Sequence, residues 1–486
     1  MLEARAHQQL KALLQQEGGD GWPHHLSLSR LVARSLRRRD HSLIRLAIGS
    51  SPSWWISLLV PLALSDSSLA LVLSDNLRQR LLQVELPRLA RAGLPLPCAE
   101  GPLPPPPGVV WLLSHRELVT AWREQHLGDR QLILPEAEQL DRLLGEALAV
   151  AIAPHHWDQL RRALPRAEHP LLGLHERLNR RILEAPRHPQ GLVALRAEDE
   201  AALRQLLGLL GPLPGPWPAW LQTGGSTWTS WARLDPELLQ WTLLRQPLEP
   251  LGALSGLLHD RGAVVIGQLN EARAGDGLTA PALSLGLRPQ VDVVLGDLPL
   301  ADPLPLYAPL RQPLPNSPVY GDHLLEQSRR LVLGQDRLTL VLVDDAQLRL
   351  QLTSGLAADF GSRVVHECTS PEGHGVVCAS WSWWLRHQEQ LPVPSQVVVA
   401  LLPIASLEDP LTAARVSALR SQGRDWFREL LLPDALLRLQ LGVAPLRRTP
   451  GGRLAILDGR LRSRSWGQRV LQSLEPWVSL TRLLPT

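Results

Sequence analysis

Apolar positions along the chain fall into two textures. Over residues 1–40, Ala, Leu, Gln and Arg recur at helical spacing on either side of a break at Gly18-Gly-Asp-Gly-Trp-Pro23, which predicts an N-terminal helical segment. From Ser42 onward, short continuous apolar runs alternate with longer helix-periodic stretches. The runs at 43–48, 69–73, 109–113 and 132–134 are too short and too uniformly apolar for amphipathic helices, so they predict buried strands. Each is followed by helix-type periodicity, the signature of a parallel sheet with crossover helices. Residues 93–108 are crowded with proline and predict an exposed loop, 135–210 read as helical, and 211–218 form a Pro/Gly-rich spacer. After a strand-like run at 263–266 and a proline-rich stretch at 298–318, the alternation resumes. Strands are expected at 338–343, 376–379, 397–402 and 454–457, and helices at 411–422 and 433–440. The expected organisation is α/β: a helical segment 1–40, a first domain 41–290 with a helical insertion at about 150–210, and a second domain 291–486.

Composition agrees with this and removes several classes of protein. Hydrophobic residues are 44%, charged residues 20% and mean hydropathy is −0.05, which excludes a mostly disordered chain and a multi-span membrane protein. The most apolar segment, 54–64, is too short to cross a bilayer, and the N-terminus carries charges where a signal peptide needs apolar residues. Three widely spaced cysteines, Cys98, Cys368 and Cys378, build neither a disulfide framework nor a four-Cys metal or iron–sulfur site, so a reducing, cytoplasmic setting is expected. Net charge is only +3, but between Pro433 and Arg469 eight arginines face only Asp434 and Asp458. Of 50 basic residues Lys11 is the one lysine, and 17 of the aromatic residues are Trp against 2 Tyr and 2 Phe.

Two loops carry candidate chemistry. A phosphate-binding loop should follow a strand and open a helix, because successive backbone N–H groups and the helix N-terminus hold the phosphates while a lysine reaches the terminal ones. After the run 43–48 the chain reads Gly49-Ser-Ser-Pro-Ser-Trp-Trp-Ile56. In the P-loop register the second glycine falls on Trp54, the lysine on Trp55 and the hydroxyl residue on Ile56. The run at 132–134 ends in Pro135-Glu136-Ala137-Glu138, where a nucleotide hydrolase places an Asp for Mg²⁺ and a Glu to orient water. A plainer reading has Pro135 starting a helix, with Glu136 and Glu138 favouring its N-terminal dipole. The clusters Trp228, Trp231, Trp241 and Trp381, Trp383, Trp384 are either core filler or a stacking surface for a single strand.

A family resemblance enters here. Residues 132–152 resemble the DEAH-box strand and helix of DinG-type DNA helicases, relatives of the XPD helicases of superfamily 2. The C-terminal half is more specific: Leu401-Leu-Pro-Ile-Ala-Ser-Leu-Glu-Asp-Pro-Leu-Thr-Ala-Ala-Arg415, Gln422-Gly-Arg-Asp-Trp-Phe-Arg-Glu429 and Leu432-Pro-Asp-Ala-Leu-Leu-Arg-Leu439 resemble the segment leading into helicase motif VI. Residues 71–82 are similar to motif Ia, 113–118 to the family's Asn-His-containing turn, 264–271 occupy the place of motif III and 338–348 that of motif IV. The resemblance runs from about His41 to Trp477. It implies two tandem RecA-like domains of P-loop-NTPase type, ATP and Mg as cofactors, and single-stranded or forked DNA as partner. In that register Gly49, Ser50, Ser51 and Ser53 are the nucleotide-contact positions, Glu136 and Arg448 the catalytic ones, and Arg438, Arg447 and Arg460 the nucleic-acid contacts.

The departures fall where ATP chemistry needs particular side chains. Motif I lacks its lysine, motif II reads Pro135-Glu-Ala-Glu138, motif III reads Gly267-Gln-Leu-Asn270, motif V reads Ser380-Trp-Ser-Trp-Trp384, and motif VI has Leu441 and Pro445 where the family has Gln and its first Arg. In phosphoryl transfer a single arginine is worth roughly a thousandfold in rate, so joint loss of the lysine, the Mg²⁺ ligand and one arginine is expected to abolish turnover. Only Cys98 lies where some relatives carry four cysteines, so no iron–sulfur cluster is expected. Three functions stay open on the sequence: a helicase-derived protein without its motor, an active helicase with atypical motifs, and an interaction scaffold.

Overall fold

Strands covered by helices on both faces have no polar side to show, which is why the apolar runs are continuous. In the computed structural model they form two parallel sheets. Residues 1–18, 22–50, 52–186, 188, 190–235, 237–253, 256–258, 261–268, 289–296, 302–333, 335–447 and 451–480 are described. Contacts divide the chain into a unit of residues 1–297 with 406–425 and a unit of residues 298–405 with 426–486.

The strands of the first unit are, in chain order, β1 (Ser42–Leu46), β2 (Leu69–Val72), β3 (Cys98–Ala99), β4 (Val110–Leu113), β5 (Gln131–Leu134), β6 (Val150–Ile152), β7 (Leu192–Ala194), β8 (Trp228–Asp235), β9 (Gln240–Pro247), β10 (Ala263–Gln268) and β11 (Val291–Leu295). Seven of them make a parallel sheet in the order β11-β1-β10-β5-β2-β4-β3. Successive side chains alternate between two cores. Ile44 and Leu46 pack with Leu28, Val32 and Leu36 of the helix His25–Arg38, while Leu43 joins Leu118, Leu140 and Leu144 on the opposite face.

Between β5 and β10 lies the insertion. Its helices Pro154–Ala163, Glu168–Leu183 and Ala197–Leu209 surround a core containing Trp157, Trp217, Trp220 and Trp241. It also carries a four-stranded antiparallel sheet in the order β6-β9-β8-β7, so it extends beyond the expected helical stretch to Pro247. The helix Pro410–Ser421, though late in the sequence, belongs to this first unit. It packs on β7 and β8, and Arg415 donates to Asp141 at 2.9 Å.

The second unit contains β12 (Leu304–Tyr307), β13 (Thr339–Leu342), β14 (Val364–His366), β15 (Val376–Ala379), β16 (Gln396–Val399), β17 (Arg453–Ile456) and β18 (Trp477–Ser479). All are parallel, in the order β14-β15-β13-β16-β17-β12-β18. The indoles of Trp381 and Trp384 are fully buried beneath the helix Leu432–Arg447. Trp384 Nε1 donates to the carbonyl of Gly442 at 2.9 Å, and a Cβ at Gly442 would lie 2.6 Å from the Trp381 ring. Most of the tryptophans are therefore core, as Trp111, Trp157, Trp217 and Trp220 also show by their complete burial. Trp228 and Trp383 keep partial exposure. Among the described residues no helix is long and apolar enough to cross a membrane.

Replacing Trp384 by Ala removes a buried indole and strips the Gly442 carbonyl of its donor. A loss of about 3–5 kcal/mol is expected in the guanidinium unfolding transition of the second unit. A loss under about 1 kcal/mol would contradict this packing.

Candidate functional site

At the carboxyl edge of the first sheet, the ends of β1, β10, β5 and β2 are neighbours in that order. Beyond β1 the chain turns at Ala47, with both the Ser50 amide (3.0 Å) and the Ser50 hydroxyl (2.8 Å) donating to the Ala47 carbonyl. Gly49 sits at φ +91°, in the left-handed region that a side chain disfavours. Its N–H donates to the side-chain carbonyl of Gln268, at the end of β10, at 2.6 Å. The Gln268 N–H in turn donates to Glu138 at 3.0 Å. This contact needs a glycine beside it, because a Cβ at Gly267 would lie 2.6 Å from both the Ala137 Cβ and Glu138 Oε2.

The acidic turn after β5 reaches the other way as well. Glu136 is buried, and its two oxygens accept from the backbone N–H and the hydroxyl of Ser74, both at 2.8 Å. Ser74 stands at the start of the helix Asp75–Arg80 beyond β2. Hydrogen bonds therefore run from the loop after β1, across Gln268 and the 136–138 turn, to the loop after β2. Burial pushes the Glu138 carboxyl up to about 8, and the neighbouring Glu136 carboxylate adds to the effect. Burial also pushes His115 down to about 4, helped by the positive charge of Arg142, so this imidazole is neutral at pH 7. The turn containing His115 is a capping box: the Ser114 hydroxyl accepts from the Glu117 N–H (3.2 Å) and Glu117 accepts from the Ser114 N–H (2.6 Å).

Trp54 and Trp55 follow the loop and begin the helix Trp55–Ala63, whose residues through Leu62 are all buried. The two rings stack at 5.0 Å and 21° and are buried in the first unit's own core, with Leu10, Leu28 and Ile266 in the same cluster. Ser53 lies in the single 3₁₀ turn between loop and helix. The chain's one lysine, Lys11, is exposed on the helix Leu2–Gln16.

The structure thus gathers Gly49 and Ser50 near Gln268 and Glu138, and directs Glu136 to Ser74. Ser51, Leu269, Asn270 and Arg448 lie outside the described residues. The three candidate nucleic-acid arginines belong to the second unit. Arg438 pairs with Asp434 at 3.1 Å and approaches Asp344 at 3.9 Å. Arg447 donates to the carbonyls of Leu474 and Pro476, and burial lowers its pKa. Arg460 clasps Asp458, which is completely buried and also accepts from the Leu402 N–H at 3.0 Å. Sequence reasoning missed Ser74 and the bridging use of Gln268; the Gly267-Gln268 pair at the end of a strand was the one signal for them.

Two parallel sheets with crossover helices, an insertion between the acidic strand and the next strand of the sheet, and a loop–helix unit after β1 define the tandem RecA-like, P-loop-NTPase class. XPD solved in its apo form superposes with a TM-score of 0.60 at 13% identity, covering 93% of this chain and 100% of that one. Xpd4 of S. tokodaii gives 0.59 at 12% identity, covering 92% and 97%. In sequence, the ATP-dependent DNA helicase YoaA of Haemophilus influenzae is 36% identical over 113 residues, 23% of this chain and 18% of that protein. Escherichia coli YoaA is 38% identical over 106 residues, covering 21% and 17%, and the 3'-5' exonuclease DinG of Bacillus subtilis 33% over 89 residues, covering 18% and 10%. The matched stretch spans less than a fifth of each relative's length. No family model matches the chain. The chain thus shares the fold of the XPD structures and, over the matched stretch, is similar in sequence to helicases of the YoaA and DinG kind.

The position of Glu138 has a pH consequence. Its folded value of about 8 exceeds the ordinary 4.5, so the stability it lends is complete below about pH 4.5 and is lost as pH rises through about 8. Glu138→Gln, which stays neutral, is expected to melt higher than the parent at pH 8.5 and to show a flatter profile between pH 5 and 8.5. Parallel melting profiles for parent and variant across that range would refute the raised pKa of this half-buried carboxyl.

Proposed function

We propose that this chain is a helicase-derived, nucleic-acid-binding protein of DinG/XPD-like type in which ATP hydrolysis and unwinding have been lost. The observation that carries this reading is the bond from the Gly49 N–H to Gln268. A loop amide of the kind that holds phosphate is given instead to one of the protein's own side chains. Two further observations support it. The one lysine, Lys11, is exposed on the N-terminal helix and is not part of the strand–loop–helix unit, and the positions that would supply the second glycine and the lysine are Trp54 and Trp55, committed to the core.

The residues at this edge do not fit Mg-ATP. Pro135 has no carboxylate for a metal, Glu136 gives both oxygens to Ser74, and the raised pKa of Glu138 favours its neutral form, which disfavours it as a cation ligand. Arginine is a poor stand-in for the missing lysine, because its planar fork is larger and differently directed than a compact ammonium. Two relatives are named as ATP-dependent DNA helicases. We carry over the DNA half of that name, with a single-stranded or forked strand as partner in a cytoplasmic setting, and not the ATP half.

The purified chain is expected to show no strand-stimulated ATP hydrolysis and no rise in melting temperature with Mg-ATP. Single-strand-dependent turnover that survives repurification would overturn the proposal.

A further inference from the structure

The strands β12 and β17 are adjacent and parallel, with Leu306 opposite Leu454 and Tyr307 opposite Ala455, so the loops that follow them leave the same edge of the second sheet. Between these loops is an open hollow of about 530 Å³ lined by Arg311, Gln312, Pro313, Gly459, Arg462 and Ser463, with Leu310 at the side. Its floor is main chain. A Cβ at Gly459 would lie 2.4 Å from the Pro313 carbonyl oxygen and 2.8 Å from that of Gln312, so the two loops meet backbone to backbone. The Gln312 carboxamide fixes this floor by donating to the carbonyls of Pro309 (3.2 Å) and Ile456 (3.1 Å).

The charge at this hollow is one-sided. Arg311 and Arg462 are exposed. Among the described residues the Arg311 guanidinium has no ion pair, and neither has Arg462, which donates to the neutral carbonyl of Ala308 at 3.4 Å. Arg464, two residues on, is likewise exposed and outside any ion pair among the described residues. Asp458, next to Gly459, is fully buried and already held by Arg460. The basic stretch therefore sorts itself: Arg438, Arg447 and Arg460 serve the fold, while Arg311, Arg462 and Arg464 face solvent unneutralised. No aromatic ring lines the hollow, so it lacks a surface on which a base would stack. What it offers is positive charge and a hydroxyl on a fixed floor, the chemistry of sequence-independent phosphate contact.

We infer that this hollow seats the phosphodiester backbone of a single nucleic-acid strand, with Arg311 and Arg462 as the contacts; the inference rests on the nucleic-acid-binding half of the proposed function. The test is a salt titration of the full chain against a fluorescein-labelled oligo-dT, followed by anisotropy. The double variant Arg311→Ala/Arg462→Ala is expected to bind at least about tenfold more weakly at low salt. The slope of log affinity against log salt should fall by about 1.4, the loss of two single-strand phosphate contacts. Arg123→Ala, which removes one exposed charge from the first unit, should match the parent, and Arg311→Lys/Arg462→Lys should recover most of the slope. Equal affinity and slope in parent and double variant, with the parent binding, would overturn the hollow and leave the proposed function standing. A parent that fails to bind at low salt would overturn both. If inorganic phosphate raised the melting temperature of the parent but not of the double variant, and no strand bound, the hollow would belong to small phosphates and the strand assignment would fall.

Discussion

A backbone N–H at the end of a buried strand must find an acceptor, and the Gly49 N–H finds one in the carboxamide of Gln268. Much of the first sheet's carboxyl edge follows from that bond. Gln268 can face Gly49 only because its own N–H is held by Glu138, and the strand can approach that turn only because residue 267 is glycine. The same turn sends Glu136 to Ser74, so the ends of β1, β10, β5 and β2 are joined in the order in which they lie in the sheet. A carboxyl caught in such a row is partly shielded from water. This is the cause of the raised Glu138 pKa and of its preference for the neutral form.

The loop that opens this edge leads straight into the core. The helix that follows the loop is buried on all sides through Leu62, and it starts with two stacked indoles inside the core. A lysine in place of Trp55 would have to lose its hydration without a paired carboxylate, a far larger cost than burying an apolar ring. Absence of lysine and presence of tryptophan at this loop are thus one packing solution. The insertion resolves its buried charge differently. Arg245 is completely buried yet donates to Glu200 at 2.7 Å and lies over the Trp220 ring, so the cation is kept where a carboxylate and a π face can share it.

Much of this architecture is legible in the chain itself, and the reason is the two-sided burial of parallel strands. The apolar runs that form β1, β2, β4, β5, β10, β13, β15, β16 and β17 carry their signal locally. β6 and β7, at three residues each, are too short to show a period, and the β8–β9 hairpin mixes Arg, Gln and Thr with its tryptophans because its sheet is covered unevenly. The position of the helix Pro410–Ser421 in the first unit depends on a pairing between Arg415 and Asp141 that are 274 residues apart, which no local pattern encodes. The candidate site divides in the same way. The loop and the acidic turn are visible as residues, but their partners are not: Gln268 lies 219 positions from Gly49, and Ser74 lies 62 from Glu136. Likewise composition counts arginines without separating those that hold carbonyls from those that face water.

The segments that resemble helicase motifs have structural work that is independent of ATP. Gly442, in the segment that resembles motif VI, is where the Trp381 and Trp384 rings press against a helix backbone. Gly267, in the place of motif III, lets a strand end close on the acidic turn. Ser380, at the start of motif V, accepts from the Trp383 N–H at the head of its helix and donates to Glu367. Asp458 and Arg460 neutralise one another inside the second unit while Asp458 also caps the Leu402 amide. Each would be costly to replace whether or not the chain binds a nucleotide, by a clash, an unsatisfied amide or an unpaired buried charge. In the register of that resemblance the positions that would hold phosphate or metal carry Pro135, Trp54 and Trp55, all three of them buried. Motif order along the chain therefore reports the geometry of the fold, and the chemistry must be read from the side chains at each position.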